Sequence, residues 1–163
     1  MTIDVQQPRP NDIVGDEVQI AGMAGGGFEA TYLYRISEGH DEVTGHFMAG
    51  DGVGGHGQFQ VSVDVSGAAF TRERLQVEVF HESPKDGSEQ EKVIVPVILG
   101  SQIVPGYTTY LEYEVQAGDT LWGIAQQHYG DGSLYHRLVT ANPDITDPDV
   151  IHTGDIVRVP QGS

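Results

Sequence analysis

The side chains best suited to metal or acid–base chemistry are seven histidines and 24 acidic residues. No two histidines have the i, i+4 spacing of a helical zinc pair, and no HExxH sequence is present. His40, His46 and His56 lie in glycine-rich stretches, where surface positions explain them better than metal ligation does. The histidines therefore predict no metal site.

The carboxylates allow one further hypothesis, because four of them gather around a single loop. They are Asp144, Asp147, Asp149 and Asp155. Carboxylate and carbonyl oxygens are the ligands that hard cations prefer. The loop lacks the spacing of an EF-hand, so a solvated acidic face is the preferred interpretation and cation binding the alternative.

The sequence contains no pattern that indicates catalysis. A GxSxG elbow, a P-loop and a dinucleotide fingerprint are all absent. Pairs of carboxylates are frequent in so acidic a chain, so their proximity in sequence does not indicate a glycosidase. We therefore predict that the protein is not an enzyme, with no catalytic residue and no cofactor.

The composition is that of an acidic protein without cysteine. The formal net charge is −16, and acidic residues outnumber basic ones in both halves of the sequence. Such a surface repels polyanions, so no nucleic-acid partner is expected. No apolar run is long enough to span a membrane, and the first residues lack a signal-peptide pattern. Together these predict a cytoplasmic location, with export by another route or earlier removal of a leader as alternatives.

Period-two alternation of apolar residues dominates residues 13–100 and predicts β-strands. Phe59, Val61 and Val63 alternate with polar residues, and glycine-rich or proline-containing turns separate such runs. Pro96 suits an edge strand because it cannot donate to a ladder. Five or more short strands of this kind predict an antiparallel sandwich. The polar residues 1–12 are expected to be flexible.

Residues 113–160 change to a strand–helix–helix–strand pattern, after a predicted linker at residues 101–112. Asp119 or Thr120 can cap the first helix, and Gly130 can end it. We expect Ser133 to cap the second helix, which ends at Asn142. The predicted fold class is therefore a two-domain chain, an all-β immunoglobulin-like sandwich followed by a small α+β module of βααβ order.

The βααβ region resembles the LysM domain family. The resemblance rests on several motifs in the right order, from Tyr113-Glu114-Val115-Gln116-Ala117-Gly118-Asp119-Thr120-Leu121-Trp122-Gly123-Ile124-Ala125 through to Ile156-Val157-Arg158-Val159-Pro160. It implies a non-catalytic carbohydrate-binding protein that recognises N-acetylglucosamine-containing glycan, either peptidoglycan or a chitin-like oligosaccharide. By motif, the expected glycan-binding residues are Gly118, Asp119, Thr120, Leu121, Asn142, Pro143, Asp144, Ile145 and Ile151. Their backbone groups would bind the acetamido group, and apolar side chains would cover the sugar.

Several of these residues also have purely structural explanations. Leu121 and Ile151 are equally well explained as core residues, and Asp119 and Asn142 as helix caps. Trp122 is the only tryptophan, and it sits beside the inward apolar stripe, which favours partial packing over sugar stacking.

The sandwich region is similar to the immunoglobulin-like domain of bacterial spore-germination proteins. The residues that carry this resemblance are Val18–Ala24, Phe28–Ala30, Gly57–Phe59, and His81–Ser88 leading into Val95–Val97. The resemblance implies a fold and little about activity. A protein partner bound through the sandwich is one expectation.

Two stretches of the LysM-like region indicate a subtype of the family. Residues 129–135 and 144–151 look like LysM modules of bacterial proteins without signal peptides, among them a small potassium-binding protein and phage-tail proteins. Two alternative functions follow from this resemblance. One is a structural or assembly role in the cytoplasm or in a phage-tail-like particle, and the other is a cation-responsive LysM protein.

Overall fold

The computed structural model describes residues 2–26 and 28–162, so that Met1, Gly27 and Ser163 lie outside it. The chain divides into two compact units, residues 1–99 and residues 100–163. Each unit has its own cluster of buried apolar side chains.

The first unit consists of two β-sheets with a shared apolar core. Its strands are β1 (Thr2–Gln7), β2 (Ile13–Val14), β3 (Glu17–Gly25), β4 (Thr31–Ser37), β5 (Glu42–Met48), β6 (His56–Asp64), β7 (Arg74–Glu82) and β8 (Glu89–Leu99). One sheet has the order β1-β3-β6 and the other has the order β2-β8-β7-β4-β5. Described neighbours pair antiparallel, except that β2 pairs parallel with β8. The predicted sandwich is confirmed.

Aromatic rings connect the two sheets inside this core. Tyr32 of β4 stacks on Phe47 of β5 with ring centroids 5.7 Å apart, and Phe47 stacks on Phe59 of β6 at 4.4 Å. Phe59 and Val63 are buried, as the alternation along β6 predicts. Full burial of each such side chain stabilises the fold by about 1.5–3 kcal/mol.

The start of the chain differs from the expectation of a flexible segment at residues 1–12. Residues 2–7 form β1, which pairs with β3, and the side chains of Ile3 and Val5 pack against the sandwich core. Gly22 of β3 makes this pairing feasible, because a Cβ atom there would collide with the backbone of Asp4. The polar composition of β1 conceals this role, since only one face of the strand is apolar.

Pro96 lies where β8 has little ladder pairing on its outer side. The short strand β2 pairs only with Ile98 and Leu99 among the described residues, and the carbonyl of Pro96 accepts a hydrogen bond from Asn11 N at 2.7 Å. The prediction of an edge strand at Pro96 is therefore wrong, because β8 is the second strand of its sheet and the short β2 lies outside it.

The second unit has the expected βααβ order. Its elements are β9 (Tyr107–Glu114), α1 (Leu121–Tyr129), a 3₁₀ turn (Gly132–Tyr135), α2 (His136–Ala141) and β10 (Ile156–Gly162). β9 and β10 form an antiparallel pair, in which Tyr113 lies opposite Val157. Gly130 ends α1 with a left-handed φ of 75°, as predicted.

Two boundaries in the second unit differ from the sequence predictions. The expected linker, residues 101–112, contributes its second half to β9, because the run of Tyr and Thr at residues 107–110 favours extended backbone. α2 begins at His136, so Ser133 does not cap it as predicted, and the N–H of Ser133 donates to the Asp131 carboxylate at 2.9 Å. The 3₁₀ turn occupies the residues expected to start the second helix.

Candidate functional site

The first loop of the candidate site is the turn between β9 and α1, residues 115–120. The N–H of Asp119 donates to the carbonyl of Gln116 at 3.0 Å, which closes a β-turn. Gly118 is the third residue of that turn and has a φ of 86°. A Cβ atom at Gly118 would meet nothing within 4 Å, so the backbone conformation, and not crowding, favours glycine here.

The Asp119 carboxylate braces this loop from within. It accepts hydrogen bonds from the hydroxyl of Tyr113 at 2.6 Å and from the N–H of Gln116 at 2.7 Å. The Tyr113 hydroxyl and then the Gln116 N–H hold the pKa of Asp119 below its usual range. The same contact raises the pKa of Tyr113. Asp119 is thus a loop brace and not the helix cap, and the sequence analysis missed Tyr113 as its partner.

Thr120 caps α1. Its backbone is extended, with φ −128° and ψ 157°, and its hydroxyl accepts the N–H of Gly123 at 3.0 Å. Leu121, the next residue, is only 2% exposed and belongs to the core of the second unit. The side chain of Leu121 is therefore a core residue, which is one of the two interpretations that the sequence allowed. Only its backbone remains for a ligand.

The second loop, residues 142–151, begins at Asn142. This side chain is buried, and its amide donates to the carbonyls of Leu138 at 2.7 Å and Arg158 at 2.9 Å. Its amide oxygen accepts the N–H of Arg158 at 2.8 Å. Both amide donors are therefore in use. Asn142 positions the loop on β10, and its amide nitrogen has no donor left for a sugar.

The remainder of the second loop presents apolar surface. The N–H of Ile145 donates to the carbonyl of Asn142 at 2.9 Å, which closes a tight turn around Pro143 and Asp144. Ile145 and Ile151 are half-buried and pack against the same core cluster as Leu121. Each isoleucine therefore keeps part of its side chain accessible, whereas Asp144 is exposed to solvent.

The two loops lie at the same end of the unit. The N–H of Val115 donates to the carbonyl of Asp155 at 2.8 Å, and the N–H of Gly154 donates to the carbonyl of Val115 at 2.8 Å. These bonds join the start of the first loop to the residues that follow the second. The site thus combines backbone groups of the first loop with half-buried isoleucines of the second. Such a surface suits a neutral ligand that has both polar and apolar parts.

The acidic cluster near this site does not converge on a common point. The Asp147 carboxylate accepts the N–H of Asp149 at 3.0 Å, and the Asp155 carboxylate accepts the N–H of His152 at 2.9 Å. Within residues 2–26 and 28–162, no three His, Asp or Glu side chains gather closely enough to hold a metal ion. The Asp147 and Asp155 carboxylates thus stabilise turns of the backbone by accepting hydrogen bonds from nearby N–H groups.

The indole of Trp122 is more exposed than the sequence analysis expected. Its exposed fraction is 55%, and it lies next to the ring of Tyr135, with centroids 6.3 Å apart. Sequence position placed it beside the inward stripe of α1, but the neighbour that it contacts comes from the 3₁₀ turn. No sequence signal identified this pairing.

Comparison with known proteins supports both resemblances. Residues 2–88 match the family described as the immunoglobulin-like domain of bacterial spore germination, and residues 113–160 match the LysM domain. No solved structure matched the chain. Within the described residues, no helix has the length and apolar character needed to cross a membrane.

Two curated relatives share short stretches with the chain. The potassium binding protein Kbp of Escherichia coli is 42% identical over 50 residues, which are 30% of this chain and 34% of that protein. The esterase Rv1288 of Mycobacterium tuberculosis is 44% identical over 57 residues, 35% of this chain and 12% of the esterase. The chain thus spans about a third or less of the length of either relative.

Fold and site together define a two-domain protein in which an immunoglobulin-like sandwich precedes a LysM domain, and domains of both kinds are typically non-catalytic binding domains. The chain belongs to the family of the immunoglobulin-like domain of bacterial spore germination, whose match covers more than half of its length. Its LysM domain is of a class that generally binds N-acetylglucosamine-containing glycans.

Proposed function

We propose that this protein binds N-acetylglucosamine units of peptidoglycan or of a chitin-type oligosaccharide between its first and second loops. The observation that carries the proposal is the pairing of an open glycine turn at Gly118 with the half-buried Ile145 and Ile151. The turn offers backbone donors and acceptors to an acetamido group, and the isoleucines offer apolar cover for its methyl group and the sugar ring.

Charge supports a neutral ligand. The net charge of −16 disfavours polyanions, whereas an uncharged glycan is bound without any requirement for Lys or Arg. The Asp119 carboxylate already accepts hydrogen bonds from Tyr113 and Gln116. The ligand is therefore held by the backbone and by apolar contacts.

The site is pre-organised, which lowers the entropic cost of binding. Asn142 fixes the second loop to β10, and Asp119 and Thr120 fix the first loop to β9 and α1. A single shallow site of this kind binds weakly, so firm attachment to a cell wall needs several copies or a second contact. The sandwich serves in this proposal as a spacer or as a surface for a protein partner.

Isothermal titration with N-acetylglucosamine oligosaccharides and with muropeptides tests the proposal. Ile145→Ala and Ile151→Ala are expected to weaken binding about 5- to 30-fold each, since each removes apolar cover worth roughly 1–2 kcal/mol. Val150→Ala is the matched control, because Val150 lies in the same loop with 52% of its surface exposed and is expected to leave binding unchanged.

Two outcomes would overturn the proposal. One is no heat and no saturation with any acetylated oligosaccharide. The other is equal binding of deacetylated, cationic glucosamine oligomers that disappears at high salt, because such binding reports only attraction to the acidic surface.

A second candidate function is the binding of a monovalent cation, favoured by the similarity to the potassium binding protein Kbp. Backbone carbonyls, and not the dispersed carboxylates, would then have to supply the ligands. Melting curves in equal ionic strengths of potassium, sodium and choline chloride test it. A rise in Tm that is specific to potassium supports cation binding, and identical curves exclude it.

A further inference from the structure

A pair of exposed aromatic rings lies on the second unit outside the two loops. Trp122, in the first turn of α1, and Tyr135, at the end of the 3₁₀ turn, have ring centroids 6.3 Å apart and ring planes inclined by 38°. Their exposed fractions are 55% and 37%. We call these two rings the aromatic pair.

The position of the indole is set by a glycine. Gly132 is buried, and a Cβ atom there would collide with the pyrrole part of the Trp122 ring. The N–H of Gly132 donates to the side-chain oxygen of Gln126 at 3.0 Å, and the Gln126 amide donates to the carbonyl of Gly130 at 3.2 Å. The indole therefore rests on a braced piece of backbone, while much of its surface stays open to solvent.

The 3₁₀ turn that carries Tyr135 is braced as well. The Asp131 carboxylate accepts the N–H of Ser133 at 2.9 Å and its hydroxyl at 2.6 Å. The indole thus rests on braced backbone, and the backbone turn that carries Tyr135 is fixed by hydrogen bonds as well. An apolar surface that is fixed in advance loses little conformational entropy when it binds.

We propose that the aromatic pair is a second subsite, on which a further sugar ring of the same glycan strand packs its apolar face. This inference rests on the proposed function. Trp122 and Tyr135 bind the part of a longer glycan that extends beyond the two loops. Affinity is therefore expected to rise with oligosaccharide length until the aromatic pair is reached.

Continuity with the first loop is the first argument for this occupant. Trp122 follows the cap residue Thr120 by two positions, which is less than one helical turn of 5.4 Å pitch. The aromatic pair and the first loop therefore begin at the same end of α1. A glycan chain is a linear polymer, so it can contact neighbouring subsites one sugar at a time.

Size is the second argument. A fully buried aromatic side chain contributes about 150–250 Å², so the exposed parts of the aromatic pair offer roughly 200 Å². A stable protein interface needs about 800 Å² from each partner. The aromatic pair therefore fits one or two sugar rings better than a protein surface. The acidic charge of the chain also disfavours the bases of a nucleic acid, although these too stack on aromatic rings.

Intrinsic fluorescence provides the test, because Trp122 is the only tryptophan in the sequence. The protein is titrated with N-acetylglucosamine di-, tetra- and hexasaccharides while Trp122 emission and the amide resonances of Gly118 and Ile145 are followed. We expect the disaccharide to shift only the amides. The hexasaccharide is expected to shift the amides and also to change Trp122 emission, with both signals saturating together.

Two variants sharpen the test. Tyr135→Ala keeps the tryptophan reporter and is expected to weaken hexasaccharide binding about 3- to 10-fold while leaving the disaccharide unaffected. Tyr135→Phe retains the ring and is expected to bind like the parent protein. Gly132→Ala displaces the indole without touching either loop, and it is expected to reduce the emission change.

The outcomes separate this inference from the proposed function. Amide shifts at both loops with unchanged Trp122 emission at saturating hexasaccharide would overturn the second subsite and leave the glycan site intact. An emission change without amide shifts would show that the aromatic pair is not part of the same site. No response to any glycan would remove the proposed function and this inference with it.

Discussion

Asn142 and Arg158 exchange two hydrogen bonds across the second unit, side chain to backbone. The N–H of Arg158 donates to Oδ1 of Asn142 at 2.8 Å, and Nδ2 of Asn142 donates to the carbonyl of Arg158 at 2.9 Å. These two hydrogen bonds join the end of α2 to β10 and fix the position at which the second loop begins. The Asn142 side-chain amide thus makes the same pair of hydrogen bonds with Arg158 that the backbone of a neighbouring strand would make.

The first prediction concerns this exchange. Asn142→Ala removes three hydrogen bonds from a buried position, namely those of the Asn142 amide with backbone groups of Leu138 and Arg158. We expect the free energy of unfolding of the second unit to fall by about 2–3 kcal/mol. Urea unfolding monitored by Trp122 fluorescence measures it. Asp144→Ala, an exposed neighbour, is the control, and a loss below about 0.5 kcal/mol for Asn142→Ala would contradict the role given to this amide.

The second prediction concerns the turn at Gly118. Gly118→Ala introduces no collision, so only the positive φ of 86° opposes it. We expect a destabilisation of about 1–2 kcal/mol, which Gly118→Asn reduces because asparagine tolerates this conformation better. Chemical unfolding of the two variants checks the order. Equal stability of the Ala variant and the parent would mean that the turn relaxes to another shape.

The third prediction concerns the pairing of Tyr113 with Asp119. Tyr113→Phe removes the hydroxyl that does most to lower the pKa of Asp119, so that pKa is expected to rise towards its ordinary value. A lowered carboxyl pKa stabilises the fold above the unfolded value and loses that stabilisation as pH falls through the folded value. Carbon-detected NMR titration of the Asp119 carboxyl group measures the change. An unaltered pKa in the variant would rule out the hydrogen bond as its cause.

The fourth prediction concerns Glu38 in the sandwich, whose side chain is fully buried. Its carboxylate accepts the backbone N–H groups of His40 at 2.8 Å and of Thr71 and Arg72 at 3.1 Å each. Burial works to raise the pKa of Glu38, but the N–H donors of Thr71, His40 and Arg72 outweigh it and lower the pKa to about 2. Glu38 thus joins the β4–β5 turn to residues 71–72.

The resulting stabilisation is complete above the unfolded pKa of 4.5 and is lost as pH falls towards about 2. We expect the Tm of the sandwich to fall through this window less steeply in Glu38→Gln than in the parent. Glu82→Gln, an exposed carboxylate of β7, is the control and should keep the slope of the parent. Identical slopes for Glu38→Gln and the parent would contradict this account.

The sandwich and the βααβ order were predictable because period-two and helical patterns report burial directly. Phe59 and Val63 are buried as their alternation indicates, and Thr120 was one of the two caps considered. β1 was not predictable, because its pairing depends on a glycine in another strand. The same limit applies to Trp122, because its indole occupies the space that a side chain at Gly132 would fill.

The site residues show the same difference between roles set by local sequence and roles set by long-range contacts. Gly118 and Thr120 are recognisable because their roles are local, set by a turn and by a cap. Asn142 is the C-cap of α2, one of the two roles considered for it, but its bonds to Arg158 depend on a strand sixteen residues away. Long-range hydrogen bonds of this kind leave no periodic signal in a sequence.

An NMR titration of the isotope-labelled protein with N-acetylglucosamine tetrasaccharide tests the central claim most directly. We expect saturable shifts in the amides of residues 118–121, 142, 144 and 145, with the amides of the sandwich unchanged. The same titration with the deacetylated tetrasaccharide should leave residues 118–121 unshifted. An absence of shifts in both loops at millimolar acetylated ligand would contradict the claim that this LysM domain binds glycan.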